Sequence, residues 1–491
     1  MIEFKQHQTK IVNYFKEKDP RGVILYHGLG SGKTITSIGI AELYNKNVVC
    51  IVPASMRTQW KNELNKMNVK NTYKIYSFEE VSNKLTGNIA SIKRTKKKKV
   101  SKKSIQKTKE MLDNKVVIID EAHRLRNIGV ISRHIINITK NVHKILLLTG
   151  TPIVNRPSDL VSLVNIVSRT KVFPLDKQEF ADTYVDKTMR VVKTPVKLFG
   201  KTLYEKSTWT TEPTIKNTNL FRSKIRGLFS FYENIDVSKY PTTKKYEKSV
   251  IMDKLQQTLH TKIEEQTLTK KELKMLSNNY ALDVGNSEAK GTASRVNAYL
   301  SKTRQLSNVV DSKPSEKVKQ ILSHVLSAKK PVVVYSNYIS NGVAMFGKLL
   351  EENNQKLTYR LFTGSTTKKE KASIVKDYNS GKCDVLLISR SGSEGLDLKN
   401  TREIHIMEPH WNSSQLDQVI GRGVRYMSHN ALPVEERHVD IYYWYSVYPK
   451  GLFDTKISSD KYLLNMSKSK KKLANEFKKV IKEESVINKF N

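Results

Sequence analysis

The stretch YHGLGSGKT, residues 26–34, follows the short apolar run Val23–Leu25 and precedes residues 35–43, which read as a helix. A glycine-rich turn between a strand and a helix directs backbone N–H groups at an anion, and the helix dipole favours negative charge there. We interpret the stretch as a nucleotide phosphate loop, in which Lys33 reaches the β and γ phosphates and the Thr34 hydroxyl ligates Mg²⁺. The predicted binding residues of the loop are His27, Gly28, Leu29, Gly30, Ser31, Gly32, Lys33 and Thr34.

One position of the loop departs from the full phosphate-loop pattern. That pattern has glycine at position 27, and this chain has His27. The alternative interpretation is a tight turn that carries an exposed lysine. The strand before the turn and the helix after it favour the phosphate loop.

The bulk properties limit what kind of protein this is. The chain has 491 residues, which indicates two to four domains. Its net charge of +39 exceeds what solubility requires and indicates a polyanionic partner, with nucleic acid favoured. The two cysteines exclude a disulfide framework and fit a reducing compartment. No apolar run approaches the ~20 residues that span a bilayer, and no signal peptide opens the chain, so we expect a soluble intracellular protein with no membrane partner.

Two regions alternate short apolar runs with helical stretches, and we predict a domain from each, residues 1–167 and 314–450. Runs this short and apolar are typical of strands buried on both faces, so the predicted fold class is α/β, with parallel sheets covered by helices. The predicted strands are Val23–Leu25, Val48–Val52, Val116–Ile119, Ile145–Leu148, Val332–Tyr335, Tyr359–Phe362, Val385–Ile388, Ile404–Ile406 and Val439–Tyr443.

Between the two regions, residues 168–313 are rich in Lys and Thr and lack this rhythm, so we predict a mostly helical insertion. The tail, residues 451–491, carries apolar residues at helical spacing, which predicts a packed amphipathic helix in preference to a binding tail. The run KRTKKKKVSKKSIQKTK, residues 93–109, contains ten basic residues and no acidic one. We predict either a disordered loop or a solvated helix for it, with DNA contact as an open alternative.

A second motif, VVIIDEAHRLRN, places Asp120 and Glu121 at the end of an apolar strand. One carboxylate can hold the Mg²⁺ shell, and its neighbour can orient the attacking water. A lone Asp-Glu pair after a strand is usually a polar loop start, but a phosphate loop upstream reverses that interpretation. We therefore predict that Asp120 and Glu121 are catalytic, with Asp120 and Thr34 as the metal ligands.

At this point the sequence resembles the superfamily 2 helicases and translocases, whose phosphate loop lacks the first glycine. FKQHQ, ending at Gln8, resembles the adenine-reading segment of the Snf-type branch. Similar likenesses follow at residues 51–64, 146–160, 332–338 and 388–398. The resemblance implies two RecA-like lobes, ATP and Mg²⁺ as cofactors, and ATP hydrolysis.

The sixth motif, QVIGRGVR, ends in two arginines, Arg422 and Arg425, at helical spacing, so we expect both to project from one helix face. Guanidinium groups from a second lobe stabilise the charge that develops on the γ-phosphate. The alternative is surface charge or contact with a phosphate backbone. Within the resemblance, Gln418, Arg422 and Arg425 are the predicted catalytic residues of this motif.

Residues 411–439 further resemble the nucleoside triphosphatase I of poxviruses and related ATPases of large nucleocytoplasmic DNA viruses. Unlike the poxvirus enzyme, this chain has Ala122 in its Asp-Glu-x-His motif. The resemblance implies a DNA-dependent ATPase that moves on double-stranded DNA in viral transcription. The alternatives are a helicase that unwinds RNA or DNA, and a non-catalytic nucleic-acid scaffold, which the intact motifs disfavour.

The same resemblance implies where the protein acts and with what. Its expected partners are double-stranded DNA, or RNA in the alternative, and viral RNA polymerase or transcription factors. Its expected location is the host cytoplasm or viral factory, with packaging in the virion as a further expectation.

Strand separation needs a wedge, and residues 397–418 are too few to supply an inserted hairpin. The insertion 168–313 is long enough for one, but its helical character favours backbone tracking, so we expect little unwinding.

Overall fold

The computed structural model describes residues 4–28, 30–86, 100–126, 130–187, 189–198, 201–233, 239–277, 289–354, 356–390, 396–411, 413–449 and 456–490. The chain divides into two compact units. The first consists of Met1–Asp186, Thr214–Ile235 and Lys472–Asn491. The second consists of Lys187–Pro213 and Asp236–Lys471.

The α-helices of the described residues are α1 (Gln6–Lys18), α2 (Lys33–Ala41), α3 (Arg57–Met67), α4 (Phe78–Thr86), α5 (Lys102–Leu112), α6 (Val130–Ile138), α7 (Leu160–Ser168), α8 (Lys177–Tyr184), α9 (Thr218–Ile225), α10 (Lys254–Thr267), α11 (Lys270–Ser277), α12 (Ala289–Leu306), α13 (Glu316–Ser327), α14 (Met345–Asn353), α15 (Lys368–Asn379), α16 (Ser413–Gly423), α17 (Ser459–Glu483) and α18 (Val486–Lys489). None of them is long and apolar enough to cross a membrane.

The strands of the described residues are β1 (Gly22–His27), β2 (Val48–Val52), β3 (Tyr73–Ser77), β4 (Val116–Ile119), β5 (Lys144–Thr149), β6 (Val185–Asp186), β7 (Met189–Leu198), β8 (Lys201–Thr211), β9 (Thr214–Ile215), β10 (Phe229–Tyr232), β11 (Thr242–Ile251), β12 (Val309–Val310), β13 (Lys313–Pro314), β14 (Val332–Ser336), β15 (Tyr359–Phe362), β16 (Val385–Ser389), β17 (Glu403–Ile406) and β18 (His438–Val447).

The first unit is built on a six-stranded parallel sheet in the order β10-β1-β5-β4-β2-β3. Successive residues of a strand point to opposite faces, and both faces of this sheet are buried. Ile24 packs in the core on one face, and Val23 and Leu25 pack in the core on the other. This two-sided burial is why the strands are uninterrupted apolar runs in the sequence.

The second unit is built on another six-stranded parallel sheet, in the order β11-β18-β17-β14-β16-β15. It is also buried on two faces, since Val333 and Tyr335 belong to one core cluster and Val332 and Val334 to another. The predicted fold class, two parallel-sheet lobes with helices, is confirmed. All nine strands predicted from apolar runs lie within strands of the structure.

Three strands of the two six-stranded sheets were missed, and two of them lie in the segment predicted as a mostly helical insertion. β10 and β11 form one edge of the first and the second sheet respectively, and β3 forms the other edge of the first sheet. An edge strand pairs on one side only and leaves much of its surface to solvent. β11 accordingly begins with four exposed residues, 242–245, and then alternates exposed residues with buried or partly buried ones, which is a weak signal beside a continuous apolar run.

The same segment contains a long antiparallel hairpin, formed by β7 and β8. The expectation that helical character would prevail here is therefore wrong for residues 189–211, although α8 to α12 account for most of the other regular structure. Val and Thr recur in residues 189–211, together with a Tyr and a Trp, and such β-branched and aromatic residues suit paired strands. The base of the hairpin is closed by antiparallel pairing of β6 with β9.

Of the basic run 93–109, residues 93–99 lie outside the described residues. The remainder enters α5, in which Lys102, Lys103 and Lys107 are exposed, so the solvated-helix interpretation holds for this part. The Ser101 side chain caps the helix by accepting a hydrogen bond from the Ser104 N–H at 3.0 Å.

The predicted tail helix is confirmed as α17, and its apolar side chains are packed. Leu473, Phe477, Val480 and Ile481 all belong to the main core cluster of the first unit. The Phe477 ring meets the Phe221 ring edge to face, with centroids 5.0 Å apart. The tail from residue 472 is therefore part of the first unit's core.

This packing predicts that Phe477→Ala lowers the free energy of unfolding of the first unit by about 3–5 kcal/mol, because it leaves a cavity where a fully buried ring packs. Urea unfolding, followed by circular dichroism, measures the loss. The matched control is Lys479→Ala, two residues along the same helix and exposed, which should change stability by less than about 0.5 kcal/mol. Equal stability of the two variants would contradict the packing role.

Candidate nucleotide site

The predicted phosphate loop follows β1 and leads into α2, as expected. Gly30 and Gly32 adopt positive φ angles of 71° and 77°, a region that favours glycine. A side chain at Gly32 would also collide with the Gln8 amide, since a Cβ there would lie 2.4 Å from Gln8 Nε2. The Ser31 hydroxyl donates to the Gly28 carbonyl at 2.7 Å and tightens the turn. Leu29 lies outside the described residues.

Lys33 lies at the first position of α2 and is bent back over the loop. Its ammonium group donates to the carbonyls of His27 at 2.9 Å and Gly28 at 3.0 Å. An ammonium group has three donors, so one remains for a phosphate oxygen. Burial lowers the Lys33 pKa, while the charges of Glu121 and Asp120 act to raise it.

Helix α1 holds the loop from behind through two adjacent side chains. The Gln8 amide nitrogen donates to the carbonyls of Ser31 and Gly32, both at 3.3 Å, and its oxygen accepts the Lys5 N–H at 2.8 Å. His7 Nε2 hydrogen-bonds to the Ser31 carbonyl at 3.0 Å. Gln8 thus lies against the phosphate loop, and the reading of adenine by Gln8 stays a prediction.

His27, which replaces the first glycine of the pattern, has a fully buried side chain that points toward β10. Its Nε2 hydrogen-bonds to Ser230 Oγ at 2.8 Å, and its ring meets the His7 ring edge to face at 5.6 Å. Burial holds its pKa well below the usual value, so the ring is neutral. The contribution of His27 to the loop is its carbonyl oxygen, which accepts from Lys33.

Asp120 and Glu121 directly follow β4, which is separated from β1 by β5 in the sheet. Asp120 Oδ2 accepts the indole N–H of Trp60 at 2.8 Å, and its Oδ1 accepts the Glu121 N–H at 2.8 Å. Burial, with help from the charge of Glu121, raises the Asp120 pKa to about 6. Two hydrogen bonds therefore fix the plane of a buried carboxylate.

Glu121 adopts a positive φ of 47°, so the chain turns sharply directly after Asp120. Its carboxylate lies 3.2 Å from His123 Nδ1, and the same nitrogen lies 3.3 Å from Thr149 Oγ1 at the end of β5. Thr149 Oγ1 in turn accepts the Thr151 N–H at 3.1 Å. These contacts join the Asp120–Glu121 turn to residues 149–151, at the end of β5.

The residues at this edge of the sheet fit a magnesium–nucleotide complex. Thr34 supplies a hydroxyl and Asp120 a carboxylate, the oxygen ligands that Mg²⁺ prefers, and Lys33 supplies a cation. The described residues contain no cluster of three or more His, Cys, Asp or Glu side chains placed to hold a metal ion. Sites that bind Mg²⁺ through one or two protein oxygens and the substrate phosphates need no such cluster.

The second unit holds the residues of the sixth motif, Gln418, Arg422 and Arg425. Gln418 and Arg422 lie in α16, but α16 ends at Gly423 and Arg425 lies beyond it. The expectation that both arginines project from one helix face is therefore wrong. Two glycines in the last turn weaken the helix, and Ser428 binds the Arg425 backbone in the turn that follows.

The Arg425 guanidinium is held inside the second unit by its own contacts. Its Nη1 donates to Asp397 Oδ1 at 3.2 Å and to the Leu396 carbonyl at 3.3 Å. Asp397 lies in the stretch GLDL, residues 395–398, which ends the segment 388–398 that resembles a motif of the Snf-type branch. An arginine held by a carboxylate at one end keeps other N–H donors, since guanidinium has five.

Comparison with known families gives two matches. Residues 7–312 match the SNF2-related domain, and residues 315–427 match the helicase conserved C-terminal domain. The first match alone covers more than half of the chain. The chain belongs to the SNF2-related family.

Individual relatives extend the SNF2-related match over the full length. An Acanthamoeba polyphaga mimivirus protein named "Putative ATP-dependent RNA helicase" is 34% identical over 497 residues, which covers 100% of this chain and 99% of the relative. A "Termination factor NPH-I homolog" of African swine fever virus is 25% identical over 535 residues, covering 89% of this chain and 71% of the relative.

Among solved structures, the Sulfolobus solfataricus SWI2/SNF2 ATPase core in complex with dsDNA is 16% identical, with a TM-score of 0.34. That likeness covers 91% of this chain and 88% of the other. A TM-score this low carries no argument.

This SNF2-related chain is an ATP-hydrolysing helicase or translocase, and its relatives include viral helicases. The structure brings Lys33, Asp120 and Glu121 to one edge of the first sheet. It adds two supporting residues that the motifs did not assign, Trp60 and His7. A buried tryptophan one helix away from a phosphate loop is a weak sequence signal, because such residues usually only pack.

The charges assembled around Lys33 predict that Lys33→Ala and Glu121→Gln each abolish ATP hydrolysis and leave DNA binding nearly intact. Lys33→Ala removes the cation that we expect to bind phosphate, and Glu121→Gln removes the carboxylate that we expect to orient water. Steady-state phosphate release and DNA-binding titrations measure the two properties. Lys61→Ala, an exposed lysine of the same unit, is the control and should retain full turnover. Retained turnover in either site variant would refute the assignment.

The Trp60–Asp120 hydrogen bond predicts that Trp60→Phe lowers ATP turnover by about tenfold or more, since loss of a partner that orients a ligand carboxylate typically costs 10–100-fold. Trp444→Phe is the matched control, because Trp444 is a buried tryptophan of the second unit that also makes one indole hydrogen bond, to His405. Turnover and unfolding midpoint are measured together for both variants. Equal turnover in the two variants would show that Trp60 only packs.

Proposed function

We propose that this SNF2-related ATPase couples ATP hydrolysis to movement along double-stranded DNA during viral transcription. The observation that carries the proposal is that Lys33, Asp120 and Glu121 lie together at the carboxyl end of the first sheet. Thr34 directly follows Lys33 in the chain. This is the equipment of a nucleoside triphosphatase. The net charge of +39 supports tight, sequence-independent binding to a phosphate backbone.

The chemistry that we assign is transfer of the γ-phosphoryl group from ATP to water. Lys33 binds the phosphates, Glu121 orients the water, and the Trp60 indole keeps the Asp120 carboxylate in its plane. Thr34 and Asp120 would hold Mg²⁺, which would supply positive charge to neutralise the phosphates. A role of Arg422 and Arg425 in stabilising the charge that develops on the γ-phosphate stays a prediction from the sequence.

The names of the relatives support the cellular context in different ways. The African swine fever virus relatives are named as homologues of a termination factor, which supports a role in transcription and, with it, viral RNA polymerase as the partner. The mimivirus relatives are named as RNA helicases, which supports RNA as the alternative substrate. A role in viral transcription would place the protein in the host cytoplasm or viral factory, or in the virion.

A second candidate function, strand separation, is favoured by the β7–β8 hairpin. It pairs ten residues of one strand with eleven of the other, long enough to act as a wedge in a duplex. The hairpin lies in the insertion 168–313, where the sequence favoured helices. Because the hairpin is present, strand separation is a second hypothesis that must be tested against translocation without unwinding.

The proposal predicts ATP-driven displacement of a triplex-forming strand from duplex DNA, with little or no unwinding of a tailed duplex. Phosphate contacts carry no sequence information, so the rate should not depend on the duplex sequence. Both displacement assays are run with the same enzyme preparation, beside Glu121→Gln as the inactive control. Efficient unwinding without triplex removal would make the protein a helicase and overturn the proposal.

The base of the hairpin allows a direct version of this test. Asp186 pairs with Thr214, so the chain ends on either side of the hairpin are neighbours across a strand pair. Directly opposed Cα atoms in antiparallel strands lie about 5 Å apart, so a two-residue turn can replace residues 188–212. If the shortened protein loses unwinding but keeps duplex-stimulated ATPase, the hairpin acts as a wedge. If its triplex displacement is unchanged, the result supports translocation.

A further inference from the structure

An aromatic ladder crosses the edge of the second sheet, far along the chain from the phosphate loop. Tyr246 of β11 lies directly opposite Tyr442 of β18, and Tyr442 lies opposite His405 of β17. The Tyr246 and Tyr442 rings are stacked, with centroids 4.9 Å apart and planes at 12°. The Tyr442 and His405 rings are stacked in the same way, at 4.8 Å and 12°.

These separations equal the spacing between neighbouring strands, about 4.8 Å. Each ring therefore turns its flat face toward the neighbouring strand. The inner end of the ladder is fixed, because His405 Nε2 bonds to Glu403 at 2.9 Å and its Nδ1 accepts the Trp444 indole N–H at 3.2 Å. The outer end is Tyr246. Among the described strands, none pairs with β11 on its outer side, so the ladder ends at the sheet edge.

Two lysines of the same strand flank the last ring of the ladder. Lys244 and Lys248 lie two residues before and after Tyr246 and therefore on the same face of the strand. Their ammonium nitrogens lie 5.1 Å and 6.0 Å from the centre of the Tyr246 ring. Lys244 is exposed, and Lys248 and Tyr246 are half-buried.

The nearest acidic groups on this face are already engaged. Asp440 lies opposite Lys244 in the strand register, and its carboxylate is bonded to His438 at 2.9 Å. Glu403 is bonded to His405. The patch at the sheet edge therefore presents a half-buried aromatic ring between two cations, which is attractive to an anion that also carries flat rings.

We propose that Tyr246, Lys244 and Lys248 form a binding site for single-stranded nucleic acid. A base continues the ladder by stacking on Tyr246, and phosphates on either side of that base meet the two ammonium groups. Stacking platforms flanked by cations bind single strands with little sequence preference, because every base has a flat face. A duplex hides its base faces in its own stack, so this site selects single strands. The site goes beyond the proposed duplex motor and does not depend on it.

The same features have a structural alternative that the test must separate. Lysines on an edge strand discourage pairing with other chains, and stacked cross-strand rings stabilise a sheet. Under that alternative, loss of the Tyr246 ring lowers stability and leaves nucleic-acid affinity unchanged. Tyr246→Phe keeps the ring and serves as the conservative variant.

The experiment measures binding of fluorescent 12-nucleotide oligo-U and oligo-dU by anisotropy, in excess unlabelled duplex DNA that occupies the duplex site. The proposal predicts that Tyr246→Ala weakens single-strand binding by at least about fivefold, the lower end of the effect of removing one base-stacking side chain, and that Tyr246→Phe does not. Stronger binding of one oligonucleotide identifies its sugar as the source of the strand. Duplex-stimulated ATPase should be equal in all variants.

The lysines are tested by salt dependence. The double variant Lys244→Ala/Lys248→Ala should flatten the slope of log affinity against log salt by about 1.4, since each single-strand phosphate contact contributes ~0.7. The matched control, Lys356→Ala/Lys376→Ala, removes the same charge from exposed positions beside the opposite edge strand and should leave the slope unchanged. Equal slopes for both pairs, or equal affinities for Tyr246→Ala and the wild type, would overturn the proposal.

Discussion

Everything in the candidate site depends on the parallel pairing of β1, β5 and β4. Because the three strands run in the same direction, His27, Thr149 and the Asp120–Glu121 turn all lie at the carboxyl ends of the strands, on the same side of the sheet. Burying an ammonium group and two carboxylates there costs free energy unless other interactions compensate. The attraction between these opposite charges offsets part of this cost, although burial outweighs it and lowers the Lys33 pKa.

The support for this edge comes from chain segments far away in the sequence. Gln8 and His7 hold the phosphate loop from α1, Trp60 holds Asp120 from α3, and Ser230 binds His27 from β10. Gln8 makes two hydrogen bonds to the loop, and the other three side chains make one each. A site that must hold charged side chains in fixed positions requires such partners, and one of them comes from β10, which lies within the insertion and pairs with β1.

The sequence predicted the parts of the fold in which hydrophobic burial sets the pattern. Strands such as β2 and β4 are buried on both faces and read as unbroken apolar runs, and the glycines of the phosphate loop meet backbone needs that few residues satisfy. The edge strands β10 and β11 and the β7–β8 hairpin were missed, because none of them is a continuous apolar run: β10 reads Phe-Ser-Phe-Tyr, and β11 and the hairpin interleave Lys and Thr with apolar residues. The end of α16 before Arg425 was also missed, since the turn in which Ser428 binds the Arg425 backbone decides it.

The central claim is that this protein is a nucleoside triphosphatase whose activity is driven by double-stranded DNA. The most direct measurement is the rate of ATP hydrolysis by the purified chain with no nucleic acid, with duplex DNA, with single-stranded DNA and with RNA, at equal nucleotide concentration. Our account predicts a low basal rate, the largest stimulation by duplex DNA, and no turnover by Lys33→Ala under any condition. Stimulation by RNA alone, with no response to duplex DNA, would contradict the account.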